Sequence, residues 1–341
     1  MSLLKKAQIS ISFNTILSII IGIIIFIIVL KLGNVFLSYS QEKNSYQATN
    51  YLELSLKDLY AESNYVKQIK LNQPTEFSFD SENLIIPKLR KTIAIGSNLI
   101  VAPSYMKTQS ITLFNKRSKF PIQYVDYLYL FPSDYTLLIY NSSDPLAQLF
   151  FSELPDVSHN PLSNQKEVLI NKRYVDNVNT IYQICGRKNL CYVVFFNSPS
   201  DYNSVESSPH KNIISVLVSG NKNFGNVTLS SKQNVTFFDK YTMISAIISN
   251  DLRNYNSLID KIRNITNLNY HIESKRLSYL YDLEPSDECK DLVSEINDTL
   301  FNINFLILNL DFDPSQINSL NANISLLNQD YYLIKENDCN I

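Results

Sequence analysis

The stretch Thr136-Leu-Leu-Ile-Tyr-Asn-Ser-Ser-Asp-Pro-Leu-Ala-Gln-Leu-Phe-Phe-Ser-Glu-Leu154 decides the fold class. Thr136 to Tyr140 is apolar on both faces, as a strand covered on two sides must be. Asp144 then stands where a helix N-cap belongs and Pro145 at the first helical position, so Leu146 to Leu154 reads as a short helix. Further runs lie on either side. Ile93 to Val101, Ile111 to Phe114 and Ile122 to Leu130 precede it, and Tyr192 to Phe196 and Ile213 to Val218 follow. Strand, helix and strand in series predict a mixed α/β sheet. Asn197 to Lys211, rich in Ser, Pro and Asp, reads as a loop.

Beyond Asp239 the period changes. Ile244, Ile248, Leu252, Tyr255, Ile259 and Ile262 recur at helical spacing, as do Leu292, Ile296, Leu300, Ile303, Ile307 and Leu310. Ile317, Leu320, Ile324, Leu327, Tyr331 and Ile334 keep the same repeat. Three amphipathic helices follow, broken at Pro285 and Pro314, and form an antiparallel bundle. Asp313-Pro314-Ser315-Gln316 has the form of a capping box with Pro in the first turn.

Upstream, no charge falls between Lys6 and Lys31. As a helix, Ile9 to Leu30 spans roughly 33 Å, about the thickness of a bilayer core. Lys5 and Lys6 precede this run, which favours the N-terminus inside and the remainder outside. A cleaved secretory signal would have a shorter apolar core and a small-residue site, for which Ser38-Tyr39-Ser40 is a poor match. Leu52, Leu56, Leu59, Val66 and Ile69 extend the helical pattern to about Leu71, where Pro74 ends it. The expected organisation is a basic arm (1–8), a transmembrane helix (9–30), an amphipathic stalk helix (31–73), an α/β ectodomain (74–238) and a helical bundle (239–341).

Lys6-Ala7-Gln8-Ile9 before a long apolar helix resembles the class III signal segments of archaeal pilins and archaellins. The resemblance implies cleavage between Ala7 and Gln8. Many members carry an acidic residue at the fifth mature position, where this chain has Ser12. The layout also resembles uncharacterised single-pass membrane proteins of small-genome archaea. The implied location is the cell membrane, with a single pass and the bulk of the chain outside.

Composition removes several classes of function. The 341 residues carry a formal net charge of -2 with 18% charged residues, so no basic face is implied and nucleic acid is not an expected partner. Among only 6 glycines there is no GxGxxG. Gly220 and Gly225 have P-loop spacing, but Asn226 and Val227 stand where Lys and Ser or Thr are needed. His159, His210 and His271 lie outside any zinc pattern, and Cys185 and Cys191 are too far apart in sequence for one. Asp311 and Asp313 offer too few oxygens for calcium, and capping already accounts for Asp313. Tyr124, Tyr127 and Tyr129 fit a groove lining but more simply the core of a sheet. No catalytic, cofactor-binding or metal residue is assigned.

Two readings of function stay open. One is a non-enzymatic surface protein with a structural or adhesive role, whose partners are the membrane and another envelope protein. The other is an anchored extracellular hydrolase or transferase using loop residues such as His159, His210 and Asp201. Six Asn-X-Ser/Thr sequences, at Asn141, Asn226, Asn234, Asn264, Asn297 and Asn323, are candidate glycosylation sites.

Four cysteines allow three connectivities. Folding the last two helices at Pro314 brings Cys289 and Cys339 to the same end. Cys185 and Cys191 then flank a turn between two β-type runs and form a local bridge.

Overall fold

The computed structural model describes residues 21, 23–32, 46–47, 49–58, 65–80, 82–95, 99–119, 124–159, 166–186, 190–208, 210, 212–284, 286–309, 313–336 and 339. The chain divides into two units, Met1–Tyr51 and Leu52–Ile341. In the first, residues 21 and 23–32 are helical, and Ile21, Ile23 and the apolar residues after them are exposed. Among the described residues no helix is long and apolar enough to cross a membrane. Residues 9–20 and Gly22 of the expected span lie outside the described residues, as do Ala7 and Gln8.

The second unit opens with helical residues 52–58, of which Leu52 and Leu56 are buried. The expected stalk helix does not reach residue 73. Residues from Val66 form a strand, β1 (Val66–Asp80). Ile69, Leu71, Thr75, Phe77 and Phe79 are buried there at alternate positions, a period of two rather than 3.6. Pro74 falls within a register shift between Lys70 and Thr75, a place where a strand can tolerate a residue without an N–H.

β1 belongs to a sheet with β2 (Asn83–Ile86), β3 (Lys91–Ala94), β4 (Leu99–Val101), β5 (Tyr105–Lys119) and β6 (Tyr124–Pro132). The order is β3-β2-β1-β5-β6-β4, antiparallel except where β4 joins β6. A second sheet contains β7 (Thr136–Tyr140), β10 (Asn171–Val175), β11 (Cys191–Phe196), β12 (Ile213–Gly220), β13 (Gly225–Thr228) and β14 (Asn234–Phe237). Its order is β10-β7-β11-β12-β13-β14, parallel as far as β12 and antiparallel beyond. Between β7 and β10 in the chain, β8 (Val157–His159) and β9 (Lys166–Val168) pair antiparallel with each other. The fold is thus mixed α/β, with two mixed six-stranded sheets in place of one.

The helices are α1 (Pro145–Glu153), α2 (Val178–Ile184), α3 (Pro199–Glu206), α4 (Lys240–Ser249), α5 (Leu252–Leu283), α6 (Asp287–Leu308) and α7 (Pro314–Glu336). α1 starts as its sequence requires. The Asp144 side chain accepts from the N–H of Leu146 at 2.7 Å, and Pro145 needs no partner. Residues 199–206, expected as loop, are α3.

The expected continuous helix over Ile244 to Ile262 is two helices. Asn250 takes a left-handed conformation (φ 45°) and ends α4, and the Asp251 side chain caps α5. α4 is buried along almost its whole length and lies with the sheets rather than in the bundle. Tyr129 of the first sheet donates to Tyr241 O, and Tyr192 of the second donates to Ile247 O, so both sheets are bonded to α4. α5, α6 and α7 form the C-terminal helical region. Glu273, 4% exposed, joins α5 to α7 by accepting from Tyr331 Oη at 2.8 Å. The Asp313 side chain accepts from the N–H of Ser315 and starts α7 as expected.

Candidate functional site

In open α/β sheets the place for ligand chemistry is the carboxyl end of the strands, where successive crossovers go to opposite faces. Here that point lies between β7 and β11. The chain leaves β7 through α1 on one face of the second sheet, and leaves β11 through α3 on the other. The residues after the strands are polar: Asn141, Ser142, Ser143 and Asp144 after β7, Asp176 after β10, and Asn197 and Ser198 after β11. Asn141 (φ 71°) and Asn197 (φ 48°) are left-handed, a conformation that asparagine tolerates better than most residues.

These groups bond one another. Asn141 Nδ2 donates to Phe196 O at 3.1 Å, joining the end of β7 to β11. Asn197 Nδ2 donates to Asp144 Oδ2 at 2.8 Å, and Asn197 Oδ1 accepts from the N–H of Gly220 at 3.0 Å. Both Asp176 oxygens accept from Ser142, one from the N–H at 2.8 Å and one from Oγ at 3.0 Å. Asp144 Oδ1 is already the helix cap. The rim therefore holds four strand ends in fixed register, and its carboxylates are engaged by donors of the chain itself. Tyr140, at the same rim, has its hydroxyl pKa raised by burial and then by the Asp201 carboxylate.

The residues singled out from sequence separate. Asp201 is in the first turn of α3, whereas His210 follows its last turn, exposed and packed on the Tyr182 ring with centroids 4.9 Å apart. His271 is exposed on α5 beside Tyr270. His159 ends β8, and its side chain lies outside the described residues. Among the described residues no group of three His, Cys, Asp or Glu could hold a metal ion. Asp311 is outside the described residues.

Tyr127 and Tyr129 are core residues. Both are 0% exposed, stacked on each other and on Tyr241 and Phe114, and burial raises their hydroxyl pKa values. Gly220 and Gly225 serve the β12–β13 turn. Gly220 has φ 146°, and a Cβ on Gly225 would lie 2.3 Å from Ser219 O.

Cys185 is joined to Cys191 and Cys289 to Cys339, with Cα separations of 5.7 and 5.8 Å. The first bridge ties the end of α2 to the start of β11, so one flank is helical where a β-type run was expected. The six sequons divide by setting. Asn226 and Asn234 are exposed on β13 and β14. Asn141 belongs to the rim, and Asn264, Asn297 and Asn323 lie on α5, α6 and α7.

Sequence reasoning missed Asn141 as a rim residue, Asp176 and Asn197. The available signal was an asparagine or aspartate directly after an apolar run, where a strand must turn out of the sheet. Compared with known proteins, the chain matches no family model, no curated protein and no solved structure.

Proposed function

We propose that this chain is a membrane-anchored cell-surface protein, with a non-enzymatic structural or interaction role and its α/β and helical regions outside the cell. The observation that supports this most is the pairing of both cysteine pairs, because structural disulfides persist in oxidising compartments. The uncharged run Ile9 to Leu30 after Lys5 and Lys6 supplies the anchor and its orientation. The exposed apolar side chains at residues 21 and 23–30 are consistent with a segment that meets lipid. The pilin-like segment adds a processing step that leaves Gln8 as the mature N-terminus.

An amine reagent that cannot cross membranes tests the location on intact cells. Lys57 and Lys232 have side chains 70% and 75% exposed, so both should be labelled before lysis. Labelling that requires lysis would overturn the proposal.

A further inference from the structure

Two of the six sequons are the same tripeptide, Asn226-Val-Thr228 and Asn234-Val-Thr236, and the β13–β14 hairpin sets them face to face. Asn226 pairs with Thr236 and Thr228 with Asn234. Val227 and Val235 point into the core, so all four polar side chains share the opposite face. α2 and α3 cover that side of the sheet at β7, β11 and β12, and both asparagines beyond them are exposed. Thr236 Oγ1 donates to Asn226 Oδ1 at 2.8 Å, and Thr228 Oγ1 donates to Asn234 Oδ1 at 2.7 Å. Each amide is thereby held through its oxygen, while its Nδ2 has no partner among the described residues.

The other four sequons each lack a requirement. Asn141 Nδ2 donates to Phe196 O, and Asn323 Nδ2 donates to Ser319 O at 2.8 Å. Thr266 and Thr299, which complete the sequons of Asn264 and Asn297, are 3% and 5% exposed. An enzyme that must reach both the amide nitrogen and the hydroxyl two residues on finds both only at β13–β14.

We infer that the Asn226/Asn234 ladder is the N-glycosylation site of the folded protein. The co-reactant is a sugar activated as a lipid-linked or nucleotide-linked phosphate. Nδ2 forms a bond to the anomeric carbon as the bond from that carbon to the phosphate oxygen breaks. The phosphate leaves with the electron pair, and the amide proton passes to a base of the transferring enzyme. Diagonal neighbours across two strands lie roughly 7–8 Å apart, so the first glycan crowds the second position. One occupied asparagine per chain is the expected majority form.

The inference rests on the extracellular location proposed above, and one experiment separates the two. Protein from native membranes is mapped by peptide mass without reduction, reading cysteines and asparagines together. The expected result is both disulfides, with a sugar-sized mass increment on Asn226 or Asn234. In Asn226→Gln the increment should move to Asn234, and in the double variant Asn226→Gln/Asn234→Gln it should disappear. Intact disulfides with both asparagines bare, or sugar only on the helical sequons, would overturn the inference and leave the location standing. Free thiols with bare asparagines would overturn both.

Discussion

Lys172 shows how one side chain closes an element. Its side chain is 2% exposed, and Nζ donates to Phe151 O at 2.6 Å and to Leu154 O at 2.7 Å. Those carbonyls end α1 and have no helical partner, and a cation there also opposes the helix dipole. Burial pulls the Lys172 pKa down, and the Asp156 carboxylate 2.7 Å away acts against that shift. Lys172→Met keeps the length of the side chain but leaves both carbonyls buried and unpaired, so it should destabilise the fold by about 3 kcal/mol in a denaturant titration. Gly225 is the other sensitive single residue. A Cβ there would lie 2.7 Å from the Phe237 ring and closer still to Ser219 O. Gly225→Ala should lower stability by about 1–3 kcal/mol, the usual cost of overpacking, with a visible fall in melting temperature.

Among the elements, the two disulfides differ in what they close. Cys289–Cys339 spans 50 residues and Cys185–Cys191 spans 6. In the chain-entropy account these contribute about 4 and about 2 kcal/mol. Replacing Cys289 and Cys339 by serine should therefore lower the unfolding free energy by more than replacing the local pair. Equal losses, measured by chemical denaturation of the two double variants, would contradict that account. The longer bond was legible in the sequence because the repeats on either side of Pro314 fix an antiparallel hairpin. β7, α1 and β11 were legible for a similar reason, since long apolar runs and a capped Pro leave few choices. β1 was not. Val66 and Ile69 happen to fall three apart and extend the stripe of Leu52 and Leu56, although the residues after them alternate. α3 was hidden because Ser198-Pro199 reads as a turn and only Tyr202 and Val205 face the core. The rim escaped notice because the bonds between its strand ends join residues more than twenty positions apart, which no local pattern records.

At the scale of the whole molecule, Glu153 links parts that are distant in the chain. At the end of α1 it meets Lys116 of β5 at 3.2 Å and also Lys240 at the start of α4. Burial raises its pKa, but the two ammonium groups outweigh that and hold it below the usual carboxylate range. A depressed carboxylate contributes stability above its unfolded value near 4.5, and that contribution is lost as pH falls through the lower folded value. Lys240 is raised, so its share persists to the alkaline side of 10.5. Acid titration of the native chain should thus show a loss of stability below about pH 4.5 that is smaller in Glu153→Gln. An identical acid limb in the variant would show that the Glu153 ion pairs with Lys116 and Lys240 contribute nothing to stability in acid.

The bond between Cys289 and Cys339 also has a topological effect. It makes the segment from Cys289 to Cys339 a closed ring, and Pro314 lies on it midway between the two cysteines. A single backbone cut between α6 and α7 would open that ring without releasing a piece. The nicked protein would gain only the mass of one water and keep its helix pairing, and the two pieces would separate only when a reductant let the C-terminal fragment go.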